Sequence, residues 1–348
     1  MSLSEHAAYN AVQHAVDGNY DAVAKLHARF LSWVDAWQSL SSTSTLDPAA
    51  LWAALTRASI HLSLAADLDF PPLLREIHRP PFGLYLKGAL PRIDPLLAIV
   101  GTRRATPSGK TIARQFARQL ASAHVPIVSC LALGIYAEAH LGALEGGAPT
   151  VAVLACGLDA VYPRQHTSLA NRILTSGGAL VSEYPTGTLA FPSHFLERNR
   201  IVSGLSRGTL IVEAPAQSGA LATSRFALEQ NRDVFVVPGP ITHPNYVGSL
   251  GLIQSGAILV VHAEDILREY HIALPAPSAT IPTTLAPDAA CVYRVLAKAH
   301  VPLSADDIIA QSTLPAHVVG RILTELALAD FVVEQAGAYT LPTTAKTP

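Results

Sequence analysis

The chain has 348 residues, half of them hydrophobic, a formal net charge of −2 and three cysteines. That is enough apolar content for a large core in two or three domains, and it leaves no global basic field to draw the whole protein onto nucleic acid. Cys130, Cys156 and Cys291 are odd in number and form no CxxC, which speaks against a disulfide framework and fits a reducing cytosol. The first twenty residues lack a basic region followed by an apolar stretch, and no apolar run approaches the roughly 18–20 residues of a membrane span.

Residues 1–75 read as a helical N-terminal domain. Ala, Leu and Val recur at three- and four-residue spacing through "AVAKLHARFLSWVDAWQSL" and "PAALWAALTRASIHLSLAADL", the period of a helix with one buried face. "SSTSTLDP" (41–48) breaks the pattern, and Asp47 can cap the next helix with Pro48 at its first position. Trp33, Trp37 and Trp52 all fall here and read as core or partner-surface residues. "DFPPLLREIHRPPFGLYLKG" (69–88) reads as an extended connector ending in a short strand.

Residues 76–272 alternate short apolar runs with helical stretches. The runs are "LLAIVG" (96–101), "PIVSCLA" (126–132), "TVAVLAC" (150–156), "GALVSEY" (178–184), "GTLIVEA" (208–214), "DVFVVPG" (233–239) and "AILVVH" (257–262). Almost uniformly apolar strands are buried on both faces, and strands separated by crossover helices form a parallel sheet. The fold class is therefore α/β: a doubly wound, mostly parallel sheet that binds ligands at the carboxyl ends of its strands. Charge collects in this part of the chain. From Arg75 to Arg232 sixteen Lys and Arg stand against nine Asp and Glu, a net +7, which leaves −9 for the remainder. A basic middle between acidic ends points to a local anion site.

Residues 273–286 form a Pro/Ala/Thr linker. Three helical patterns and a hairpin turning near Gly337 follow over 287–342, which reads as a winged helix. Its third helix carries Arg321, Glu325 and Asp330, too little positive charge for a groove reader. A protein-contact or auxiliary role fits it better.

The loop "GTRRATPSGKT" (101–111) follows the first apolar run and opens a helix. Such a turn aims amide groups and the positive end of a helix dipole at whatever sits above it. Gly101 admits close approach, Thr102 and Ser108 offer hydroxyls, and Arg103, Arg104 and Lys110 add charge. A Walker A loop is excluded because seven residues, not four, separate Gly101 from Gly109. A dinucleotide fingerprint is excluded because its second and third glycine positions hold Arg103 and Thr106. Long cationic side chains suit a flexible polyanion better than a tightly bound pyrophosphate.

Other strand ends can converge on the same rim. Arg164 follows the third run, and Arg198, Asn199 and Arg200 lie in "FPSHFLERNRIVSGLS" (191–206), able to clasp phosphates or sugars. Phe195 beside them reads as a core residue, with base stacking as the other reading. Ser218 and Gly219 open another strand-to-helix turn. Catalytic signals are weak: Asp159 and Glu213 are isolated, no His/Cys/Asp set has metal spacing, and no GxSxG marks a hydrolase serine. No cofactor is called for.

"AIVGTRRATPSG", "GLDAVYP", "SEYPTGT", "HFLERNRIVSGLS", "VEAPAQSGAL" and "VFVVPG" follow one another here in the order and spacing of the DNA-processing protein DprA/Smf family, which the chain resembles over about residues 70–270 and in its winged helix. The resemblance implies an extended Rossmann-like, non-catalytic domain that binds single-stranded DNA in natural transformation, loads the RecA recombinase onto it and forms a homodimer. Carried over by position, the strand site falls on Gly101, Thr102, Arg103, Arg104, Arg164 and Arg198–Arg200, with Ser218 and Gly219 in a backbone-contacting turn. There are departures: where the family reads S-G-L-A-R-G-I-D, this chain has "SCLALGIY" (129–136), with Cys130 for a glycine, Leu133 for an arginine and Tyr136 for an aspartate. Leu250–Gly251 stands for an Asn-Arg pair. Two other readings are a nucleoside-monophosphate phosphoribohydrolase of a related Rossmann-like group, and a degenerate paralogue serving as a protein-interaction module. The hydrolase turn P-G-G-x-G-T-x-x-E is nearest to "QSGALATSR" (217–225), which lacks the paired glycines and has Arg225 where an acid is wanted.

Overall fold

The computed structural model describes residues 3–42, 44–272, 285–299, 302–329, 331–335 and 337–341. Most of the expected linker, residues 273–284, lies outside them, as does the tail from 342. Four helices open the chain: α1 (Glu5–Ala15), α2 (Tyr20–Arg29), α3 (Trp33–Ser41) and α4 (Pro48–Arg57). Each starts on a side-chain cap, with Ser4, Asn19, Ser32 and Asp47 accepting from amides of the first turn that have no partner within the helix. The periodicity from Pro48 to Leu68 predicts one helix. Instead α4 stops at Arg57, Ser59 takes a positive φ of 54°, and β1 (His61–Leu64) pairs antiparallel with β2 (Gly83–Gly88). The short α5 (Pro72–Arg75) lies between them.

Strands and helices then alternate: β3 (Leu97–Val100), α6 (Pro107–Ser122), β4 (Ile127–Cys130), α7 (Ile135–Gly146), β5 (Thr150–Val153), α8 (Thr167–Thr175), β6 (Ala179–Ser182), α9 (Pro192–Gly204), β7 (Gly208–Ile211), α10 (Gly219–Glu229), β8 (Asp233–Val236), α11 (Val247–Gln254), β9 (Ile258–Leu259) and α12 (Ala263–Glu269). All seven apolar runs of this region are strands. Together with β1 and β2 they build, among the described residues, one nine-stranded sheet of order β1-β2-β6-β5-β4-β3-β7-β8-β9. It is parallel from β6 through β9 and antiparallel where β2 joins β6.

Alternate residues of each central strand feed opposite faces. Ala98 and Val100 of β3 lie in one apolar cluster, and Leu97 and Ile99 in another with Ala113, Phe116 and Leu120 of α6. That is why these runs are apolar throughout rather than alternating. The expected boundary at residue 75 does not separate two bodies: Met1–Ala273 forms one compact unit. Tyr9, Val12, Trp33 and Leu55 of the helices share a cluster with Leu62, Tyr85, Leu154 and Leu180 of the sheet. Each such side chain contributes roughly 1.5–3 kcal/mol on burial.

The second unit, Leu274–Pro348, contains α13 (Pro287–Lys298), β10 (Leu303–Ser304), α14 (Ala305–Ser312), α15 (Ala316–Leu328), β11 (Val333–Gln335) and β12 (Ala338–Thr340). Its strands pair antiparallel in the order β10-β12-β11, and Gly337 turns the β11–β12 hairpin at a φ of 80°. Val292, Leu296, Ile308, Val319, Ile322 and Leu323 form its core, the arrangement of a winged helix. Among the described residues no helix is long and apolar enough to cross a membrane.

Candidate nucleic-acid interface

The strand order sets the place of the site. From β3 the chain moves outward through β4, β5 and β6, then returns to the other side of β3 with β7. The loops after β3 and β7 therefore leave in opposite directions and open a crevice at the carboxyl ends of the strands.

The first loop does not use its helix N-terminus as the spacing predicts. Glu213, at the end of β7 and fully buried, puts its carboxylate there. It accepts from the Thr106 amide at 3.1 Å and the Thr106 hydroxyl at 2.5 Å, from Asn245 Nδ2 at 3.0 Å and from the Tyr246 hydroxyl at 3.1 Å. Thr106 in turn caps Gly109 N. Burial first, then the Glu213 carboxylate, pushes Tyr246 up to about 12, so it stays a donor. A Cβ on Gly109 would lie 2.2 Å from Glu213 Oε1, so this glycine makes room for the acid. Gly101 serves packing rather than ligand approach: a Cβ there would lie 2.6 Å from Ile135 Cγ1 and 3.0 Å from the Glu213 carbonyl. Thr102 donates its amide to that carbonyl at 2.7 Å and accepts from Arg104 N at its hydroxyl. Lys110 is exposed on α6 and does not line the crevice.

What the crevice does gather is a cleft of about 620 Å³. The β3 loop contributes Gly101, Thr102, Arg103 and Arg104; α9 contributes Phe195, Arg198 and Asn199; the β7 loop contributes Gln217, Ser218 and Gly219. Arg103 and Arg104 are exposed, and among the described residues neither meets a carboxylate. Arg103 Cζ lies 4.7 Å from the Phe195 ring centroid, and Phe195 lies 5.6 Å from the exposed Tyr162 ring. Phe195 is thus half-buried at the cleft wall, not a core residue, and with Arg103 it forms a flat cation–π surface. A smaller recess of about 80 Å³ shares Arg103, Ala132, Phe195 and Arg198 with the cleft and is otherwise mostly apolar.

Arg198 and Asn199 form the floor. Arg198 is 4% exposed, donates Nη1–H to the Val153 carbonyl and Nε–H to Asn199 Oδ1 at 3.3 Å, and has no acid partner among the described residues. Asn199 donates to the Gly219 carbonyl at 3.2 Å. Ser218 caps α10 by accepting from Ala220 N at 3.2 Å, and nothing lies within 4 Å of a Cβ built on Gly219. The start of α10 therefore opens onto the cleft.

Besides Lys110, two more expected site residues fall outside the cleft lining. Arg200 points away from the cleft, 4% exposed. It donates to both oxygens of the buried Glu183, at 2.7 and 2.5 Å, and lies over the Tyr20 ring at 5.2 Å. Two residues along a helix turn a side chain about 200°, so Arg198 and Arg200 cannot share a face. Burial opposes the Arg200 charge, but Glu183 outweighs it and holds the guanidinium above its ordinary range. Arg164 is exposed beyond the cleft lining.

Of the departures, Cys130 is buried under the cleft with its thiol 3.9 Å from Asn199 Oδ1; burial pushes that thiol up against the pull of Arg198 and Arg103. Tyr136 is buried in the cleft wall, Leu133 is exposed at the recess, and Leu250–Gly251 lies on α11 away from both. In the winged helix, Arg321 of α15 is paired to Glu325 at 3.1 Å.

Residues 61–271 match the family model for DNA recombination-mediator protein A, and residues 275–338 match that for the DprA winged helix domain. Protein Smf of Escherichia coli (strain K12) is 39% identical over 287 residues, spanning 80% of this chain and 77% of that protein. The X-ray structure of DNA processing protein A from Streptococcus pneumoniae is similar with a TM-score of 0.60 at 30% identity, covering 77% of this chain and 94% of that one. That of DNA processing protein A from Helicobacter pylori, described for its single-stranded DNA binding mode, gives 0.54 at 30% identity, covering 61% and 96%. With the family match running from β1 through the last helix of the sheet unit, the chain belongs to the DNA recombination-mediator protein A family, the DprA/Smf group.

Proposed function

We propose that this protein binds single-stranded DNA in the cleft between the β3 and β7 loops and passes it to the RecA recombinase, without catalysing a reaction on it. The observation that carries this reading is the pair Arg103 and Arg104: exposed, without an acid partner among the described residues, on a cleft whose lining includes no carboxylate. Unpaired arginines attract phosphates, and the Arg103–Phe195–Tyr162 row offers π-faces to unstacked bases. A duplex hides those bases, so single strand is the better ligand. Arg198, Asn199, Ser218 and Gly219 supply the floor, while Arg164 and Lys110 serve as outlying charges that a longer strand can reach. The ribose hydrolase reading loses ground because the cleft lining includes no carboxylate and the buried Glu213 is spent on Thr106, Asn245 and Tyr246.

The proposal includes a homodimer. The edge strand β9 is exposed at Ile258 (38%) and Leu259 (47%), with Val261 (54%) beside it, an apolar sheet edge of the kind that pairs with a second copy. It also includes a cytoplasmic location, a linker over 273–286 and a protein-contact or auxiliary role for the winged helix of 287–342. Fluorescent oligo-dT titrated at several salt concentrations, beside a duplex of equal length, tests the reading. If about four to six phosphates are contacted, the log–log salt slope for the single strand is about −3 to −4. Equal or tighter binding of duplex contradicts it.

A further inference from the structure

We infer that Glu213 is a positioning residue of the cleft, holding the backbone that carries Arg103 and Arg104; this rests on the strand-binding reading above. The sequence leaves Glu213 as an isolated acid, and strand binding has no direct use for a negative charge. Its contacts say what it does. The carboxylate is fully buried and takes four hydrogen bonds from three residues. Thr106 closes the arginine loop at its far end. Glu213's own carbonyl takes the Thr102 amide at 2.7 Å, which fixes the near end. Asn245 joins the two loops: its Nδ2 donates to Glu213 Oε2 and to the Arg104 carbonyl, both at 3.0 Å. The five-residue stretch from Thr102 to Thr106 is thus pinned at its start by the Glu213 carbonyl, at its middle by the Asn245 bridge and at its end by the Glu213 carboxylate.

The acid also occupies the start of α6, where a phosphate would otherwise be favoured. Ligand phosphates are left with the arginine side chains and the open start of α10. This arrangement makes a prediction opposite in sign to simple charge counting. Removing a negative charge near a polyanion site should tighten binding by Coulomb's law. If Glu213 positions the arginines, its removal weakens binding instead.

The test uses the full chain and fluorescent oligo-dT at one fixed salt concentration. Glu213→Gln keeps the shape but sets an amide donor against donors. Asn245→Ala removes the bridge and leaves the carboxylate in place. Both are measured alone and combined with Arg104→Ala, with melting followed by circular dichroism. We expect about a tenfold loss of affinity for Glu213→Gln and about threefold for Asn245→Ala. Both losses should shrink at least threefold in the Arg104→Ala background, a non-additivity that general loosening would not produce. Glu213→Gln binding as tightly as the unaltered chain, or more tightly, overturns the inference, as do losses that persist in full without Arg104. If Glu213→Gln does not fold, the Asn245→Ala cycle decides by the same criterion. Failure of the unaltered chain to bind oligo-dT removes the strand-binding reading and this inference together; additive losses in a chain that does bind remove the inference alone.

Discussion

Two helices start at the carboxyl ends of neighbouring strands, and they have opposite uses. At the start of α6 the amides face Thr106 and the buried Glu213, and Gly109 is there to admit that acid. At the start of α10 Ser218 takes one amide and Gly219 stands open to the cleft. Both read alike in sequence: a strand, a small-residue turn, a helix. A helix start is a ready anion site, and here the protein fills one with its own carboxylate and leaves the other open. The same contrast recurs on α9, where Arg198 lines the cleft without an acid and Arg200 is buried against Glu183.

The contrast can be broken by substitution. Arg200→Ala leaves Glu183 as an uncompensated buried charge and should cost about 3–5 kcal/mol of stability, measured by urea unfolding. If strand affinity falls instead while stability holds, Arg200 belongs to the interface after all. Next comes the interior against the rim. Burial lowers His140 to about 4; the neutral ring donates Nε2–H to the Cys130 carbonyl at 3.1 Å and lies 2.8 Å from Thr150 Oγ1. Between about pH 6.5 and 4 the unfolded chain binds a proton that the folded chain does not. Stability is therefore full above pH 6.5 and falls by about 3 kcal/mol as pH drops to 4. His140→Gln should flatten that loss, whereas strand binding by the folded fraction should not follow the curve, because arginine does not titrate in this range.

Smaller effects separate the two helix starts directly. Gly109→Ala drives a methyl into Glu213 and should cost about 1–3 kcal/mol, visible as a lowered melting temperature. Gly219→Ala meets open space, so stability should change by less than about 0.5 kcal/mol while strand affinity falls a few-fold. Equal thermal effects at the two glycines would erase the distinction between a filled and an open start.

Much of this was legible in the sequence. The seven apolar runs are the strands β3 to β9, and their uniform hydrophobicity gave the two-sided burial. Arg103, Arg104, Ser218 and Gly219 could be placed on one rim because strand ends of a doubly wound sheet share an edge. What could not be read were pairings between distant positions. Glu213 meets Thr106 from 107 residues away, and Glu183 meets Arg200 across the strand-to-helix turn; neither leaves a local spacing. Phe195 was ambiguous because half-buried aromatics and core aromatics look alike in a helical pattern. Strand β1 was hidden inside helical periodicity, since "HLSL" fits either period over four residues.

The central claim is that strand binding depends on the two unpaired arginines of the β3 loop, and replacing both by glutamate tests it most directly. Arg103→Glu/Arg104→Glu should keep its melting temperature, because neither side chain has an ion pair to lose among the described residues, and should weaken oligo-dT binding about a hundredfold or more. Undiminished affinity in the folded double variant would contradict the account.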